Sequence, residues 1–109
     1  MSNLKSERLS QLLSFQEQDP NDTFITFALA LEYVSLGEDE KACNLFDSIY
    51  QKKPDYVALY YQYGKLMEKL NRIEDAKRLY QEGIVYAEKM GEVRTRAELF
   101  TALQEMLDM

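Results

Sequence analysis

The sequence predicts an all-α protein, a solenoid of about six helices packed as antiparallel pairs, and three observations carry that prediction. The chain repeats itself at a spacing of 34: Leu29, Ala30, Leu36, Gly37, Glu40, Ala42, Leu45 and Phe46 are answered by Tyr63, Gly64, Leu70, Asn71, Glu74, Ala76, Leu79 and Tyr80. In the other direction Cys43, Phe46, Ile49 and Pro54 are answered by Leu9, Leu12, Phe15 and Pro20. Between these positions apolar residues recur at helical spacing. The interruptions, at Asp19-Pro20-Asn21-Asp22, Gly37, Pro54, Asn71 and Gly91, are residues that stop or cap helices.

Each element follows from its own residues. A first helix over 4–18 puts Leu4, Leu9, Leu12, Leu13 and Phe15 on one side and ends before Pro20. Asn21 or Asp22 can cap the second, about 23–36, by accepting its unpaired N–H groups. Gly37 then allows the left-handed turn that commonly ends a helix. The third, about 39–52, opens with Glu38-Asp39-Glu40 and closes with Lys52-Lys53, charges that match its dipole. The fourth, about 56–70, stops at Asn71, and the fifth, about 73–90, meets no proline and runs unbroken to Gly91. A sixth, about 92–108, places Val93, Ala97, Phe100, Leu103 and Leu107 on one face, with Leu99 and Met106 off it. No stretch reads as a linker or as low-complexity sequence, so a single domain is expected over 1–109.

The doubled set Leu29-Ala30-x-x-Tyr33, Gly37, Ala42, Phe46, Pro54 and Tyr60-x-x-Tyr63-Gly64, Ala76, Tyr80, Gly83 resembles the tetratricopeptide repeat family. The resemblance implies a right-handed α-solenoid. It assigns 4–22 as an N-terminal half-repeat, 23–56 and 57–90 as two full repeats, and 91–109 as a C-terminal capping helix. The pattern departs at Thr26, where an aromatic is usual, at Ile49, where a small residue is usual, and at Glu88, where proline is usual.

Composition excludes several function classes. The chain carries 19 acidic and 13 basic residues, a net charge of −6, and lacks the basic footprint that phosphate-backbone binding requires. With no histidine, no cysteine cluster and no glycine-rich phosphate loop, neither a catalytic residue, nor a metal site, nor a cofactor site is predicted. The carboxylates Asp39, Glu40, Glu74 and Asp75 sit in helix first turns, where dipole matching and solubility account for them. The single cysteine, Cys43, reads as a partly buried packing residue. No apolar run near the N-terminus suggests a secretory signal and nothing approaches a membrane span, so a cytoplasmic location is expected.

The resemblance implies protein–protein interaction, with the first helix of each repeat lining a concave groove. On this chain those positions are Phe24, Phe27, Leu31, Val34 and Ser35, then Ala58, Tyr61, Lys65, Glu68 and Lys69. Phe24, Phe27, Leu31 and Val34 follow one another at helical spacing on a helix apolar nearly all round. Such a stripe is a docking surface, a homodimer interface, a face covered by the chain's own ends, or simply idle exposed surface. The expected partner is a protein or peptide bound by this aromatic and apolar stripe, flanked by Tyr61, Lys65 and Lys69, with a homodimer through the same stripe as the alternative. The tail-clamping co-chaperone version is not expected, because its anion-binding positions hold Phe27, Leu31, Gln62 and Glu92, and only Arg96 matches.

Overall fold

A computed structural model describes residues 4–108, with side chains from residue 7 onward. It contains six helices and, among the described residues, no strand: α1 (Leu4–Gln18), α2 (Thr23–Ser35), α3 (Asp39–Lys52), α4 (Ala58–Lys69), α5 (Ile73–Met90) and α6 (Val93–Leu107). Every boundary lies within two residues of the expected one. The chain divides into two compact units, one reaching to Lys53 and the other starting at Pro54.

In the first unit α2 packs against both α1 and α3. Asp22 caps it, its Oδ1 accepting from the Ile25 N–H at 3.0 Å. Leu12, Ala28 and Leu29 form a core with Leu9, Tyr33 and Leu45 around it, and Ala30, Ala42, Phe46 and Ile49 are also buried. Burying a side chain the size of Phe46 is worth about 1.5–3 kcal/mol, and small residues at 30 and 42 let the helices approach. Cys43 is half-buried, as expected.

The face expected of α1 is too wide. Leu9 and Leu12 face α2, but Leu13 and Phe15 stay 39% and 50% exposed, because α2 is the one helix of this unit that α1 packs against. One neighbour covers only a narrow strip of a helix. Leu4 lies outside the described side chains. The junction also holds the buried Glu32, whose Oε2 lies 3.3 Å from Arg8 Nε while its Oε1 has no hydrogen-bond partner.

In the second unit α4 and α5 form an antiparallel pair, and α6 packs on α5 and, less extensively, on α4. Leu59, Tyr60, Tyr63, Leu66, Met67, Ala76, Leu79, Tyr80 and Ala87 are buried, and Tyr60, Tyr61, Gly64 and Glu68 are where α4 meets α5. Two glycines set the spacing. A Cβ on Gly64 would fall within 2.8 Å of three Tyr80 ring atoms, and one on Gly83 would lie 2.5 Å from Tyr60 Cβ and 2.9 Å from Leu99 Cδ1. The Tyr60 hydroxyl donates to the Pro54 carbonyl, and its ring stacks on Tyr86 at 5.7 Å between centroids.

The helix ends repeat as the side chains do. Gly37, Asn71 and Gly91 have φ of +79°, +62° and +71°. Just beyond each, the N–H of Glu38, Arg72 and Glu92 donates to Tyr33, Met67 and Ala87 at 2.8, 2.8 and 2.9 Å.

The expected face of α6 is corrected. Leu99, Ala102 and Met106 are the residues it buries, whereas Val93, Phe100 and Leu107 are 79%, 52% and 56% exposed, Ala97 is exposed and Leu103 is half-buried. Val93, Phe100 and Leu107 lie on a different side of α6 from Leu99, Ala102 and Met106. No described helix pairs with α6 as α5 pairs with α4, so that face stays in solvent and the adjacent one is buried.

Candidate functional site

The expected binding residues fall on α2 and α4, and the structure treats the two groups differently. On α2 the stripe is graded. Phe24, in the first turn, is 68% exposed, whereas Phe27, Leu31 and Val34 are half-buried. Phe27 tilts against the core residue Phe46, with ring centroids 6.1 Å apart. The stripe therefore presents one prominent aromatic on a capped helix start, followed by a partly accessible apolar track.

On α4, Tyr61 and Lys65 share a recess of about 310 Å³ completed by α6 residues Arg94, Ala97, Glu98, Thr101, Ala102 and Glu105. Lys65 Nζ stands 5.4 Å from the centroid of the Tyr61 ring and 3.6 Å from Glu68 Oε2. The same carboxylate oxygen accepts from the Tyr80 hydroxyl, and the Tyr80 ring lies 6.5 Å from that of Tyr61. Burial, and after it the hydrogen bond to Glu68, pushes the Tyr80 phenol well above its ordinary range. Tyr80 thus stays protonated and holds Glu68, which in turn steadies Lys65. Lys69 is exposed and stands outside the lining of the recess.

Chemically the recess is a polar holding site with an aromatic wall. Two cations, Lys65 and Arg94, and two carboxylates, Glu98 and Glu105, line it together. That mixture suits a segment carrying both charges, or a backbone with its paired donors and acceptors, better than an isolated anion. Arg94, Glu98, Thr101 and Glu105 were not anticipated as site residues. Their spacing of 4, 3 and 4 puts them on one side of α6 and was readable as such, but assigning the helix to closure alone obscured it. Among the described residues no group of three or more metal-ligating side chains comes together, and no helix is long and apolar enough to cross a membrane.

Comparison with solved structures identifies relatives. A tetratricopeptide repeat domain protein of Salinibacter ruber aligns in its crystal structure at 35% identity over 82% of this chain and 99% of that one, with a TM-score of 0.79. A solution structure of a tetratricopeptide repeat domain protein from the same organism aligns at 38% identity over 81% and 89%, with a TM-score of 0.78. A protein of Bordetella parapertussis aligns at 19% identity over 99% and 90%, with a TM-score of 0.78, a likeness of fold alone. No family model and no curated protein matches the chain.

Proposed function

The chain belongs to the tetratricopeptide repeat family, and from that premise we propose that it is a protein-interaction module that binds a peptide or a protein segment on the first helices of its repeats. Phe24, Phe27, Leu31 and Val34 supply apolar contact, and Tyr61, Lys65 and Lys69 supply aromatic and polar contact. The observation that carries the reading is Phe24. A phenylalanine 68% exposed in the first turn of a capped helix contributes little to the fold, yet is held where a partner can cover it. An aromatic on a rigid element loses little entropy on binding, the usual property of an interface anchor. The Tyr61–Lys65 recess supports the same reading, since its side chains are steadied by Glu68 and Tyr80 before any ligand arrives.

The test is selection of peptides from a displayed library against the intact chain, followed by calorimetric titration of the enriched sequences. Phe24→Ala is expected to weaken binding by about tenfold or more, as loss of an anchor does, with an unchanged melting curve. Lys65→Ala is expected to weaken it by a smaller factor. Phe27→Glu is a poor probe, because Phe27 packs on Phe46 and the change destabilises the unit itself. Failure to enrich any sequence, or enriched sequences whose affinity ignores both Phe24 and Lys65, refutes the proposal.

A further inference from the structure

We propose that the recess between the start of α2 and the end of α3 receives a tyrosine side chain from a partner protein. Its volume is about 280 Å³, and Pro20, Thr26, Ile49 and Lys52 are among the residues that line it. One repeat downstream these four positions hold Pro54, Tyr60, Gly83 and Tyr86. There Tyr60 ties the group together. It is buried, its hydroxyl donates to the Pro54 carbonyl, its ring stacks on Tyr86, and Gly83 leaves room for its Cβ.

The first repeat lacks that ring. Thr26 stands in place of the tyrosine and turns its hydroxyl back to the Asp22 carbonyl at 3.1 Å. The buried Ile49 stands in place of the glycine. A large residue at 26 would meet it as Tyr60 would meet a Cβ at 83, 2.5 Å away. A ring in this setting therefore has to come from outside. The space left is sufficient, since an apolar cavity of about 150 Å³ holds benzene.

The lining says which ring fits. The Thr26 hydroxyl and the Ser48 hydroxyl, which donates to the Leu45 carbonyl at 2.8 Å, have both committed their protons to the backbone. Toward a ligand they accept, as a phenol O–H requires. Lys52 stands where Tyr86 stacks downstream, Lys53 lies beside it, and among the described residues no carboxylate lines the recess. An ammonium is attracted to the electron-rich face of an aromatic ring and repels a cationic side chain. Accepting walls under a cationic rim favour tyrosine over phenylalanine, and either over lysine or arginine. None of these residues belongs to the groove proposed above, so the two sites can fail separately.

The experiment is amide nuclear magnetic resonance titration of the intact chain with N-acetyltyrosinamide. Its phenylalanine, leucine and lysine counterparts and inorganic phosphate serve as comparisons. The tyrosine compound is expected to shift the amides of Thr23, Thr26, Ile49 and Lys52 saturably. It should bind about threefold more tightly than the phenylalanine compound, through one added hydrogen bond, while the leucine and lysine compounds leave these amides unmoved. Lys52→Glu, at an exposed position, should stay folded by circular dichroism and weaken binding about threefold or more. Thr26→Tyr combined with Ile49→Gly rebuilds the downstream arrangement from within and should abolish the shifts; should that pair fail to fold, Lys52→Glu decides. Shifts confined to other parts of the chain, shifts that leucine or phosphate reproduces, or an affinity indifferent to Lys52→Glu would each overturn the proposal.

Discussion

Gly83→Ala sets two well-defined effects against each other. Gly83 lies within α5, where alanine is favoured over glycine by about 1 kcal/mol. Helix propensity alone therefore predicts a more stable protein. The added methyl, however, would stand 2.5 Å from Tyr60 Cβ, 2.9 Å from Tyr60 Cγ and 2.9 Å from Leu99 Cδ1, about 1 Å inside ordinary carbon–carbon contact. Leu99 could turn its terminal methyl aside, but Tyr60 Cβ is fixed to the α4 backbone. The Tyr60 ring is fully buried, stacked on Tyr86 and tied through its hydroxyl to the Pro54 carbonyl. Relief therefore requires moving α4 away from α5, which opens the packing of Tyr60 on Tyr86 and of Gly64 on Tyr80. Overpacking of this kind costs about 1–3 kcal/mol, sometimes more; with a backbone-anchored neighbour we take the upper end and expect a net loss of about 2 kcal/mol after the propensity gain. At about 4–8 °C per kcal/mol for a small domain, the melting temperature should fall by roughly 10 °C. Urea melts followed by far-ultraviolet circular dichroism measure the change, with Gly91→Ala as the control. Gly91 has no atom within 4 Å of its would-be Cβ but a φ of +71°, so alanine there should cost about 1 kcal/mol from backbone strain alone. A Gly83→Ala protein as stable as the wild type would show that the close approach does not constrain this helix pair.

Three further outcomes follow from the same packing. Gly64→Ala would press on the Tyr80 ring and should destabilise by about 2 kcal/mol; combined with Tyr80→Leu, the losses should fall short of additive in a double-mutant cycle, because the smaller side chain vacates the contested space. Tyr80→Phe removes the bond to Glu68 and should cost about 1–2 kcal/mol near neutral pH. Because the folded protein raises the Tyr80 pKa, its contribution is complete below the free tyrosine value of about 10 and is lost as pH rises beyond it; denaturation curves above pH 10 should therefore fall less steeply for Tyr80→Phe than for the wild type. At the α1–α2 junction, Arg8→Ala strands a Glu32 carboxylate whose side chain is only 7% exposed, and should cost more than Glu32→Met, which removes the charge together with the need for a partner; equal losses in thermal melts would refute that ordering.

Much of the fold is legible in the sequence because the deciding interactions are local. The turn at Gly37 and the turn at Asn71 each depend on one residue that tolerates positive φ and on bonds reaching back within six residues. Asp22 caps α2 from three residues away. The period of 34 added a long-range statement, since positions that recur as small, such as Ala30 and Gly64, or Ala42 and Ala76, must recur where helices approach. That was enough to place six helices and to choose which of them offers a stripe.

Which face of a helix is buried was decided elsewhere. α6 carries apolar residues on two sides, and its composition ranks them nearly equally; Leu99, Ala102 and Met106 are inside because the gap over Gly83 accepts Leu99. Phe100 is outside because no described helix pairs with α6 as α5 does with α4. The recess joining Tyr61 and Lys65 to Arg94, Glu98 and Glu105 likewise requires knowing how α6 is rotated about its axis. Periodicity specifies that a helix has a face to bury, since that depends on the chain's own geometry. Only tertiary packing selects the face, because its free energy depends on the shape and reach of neighbours distant in sequence.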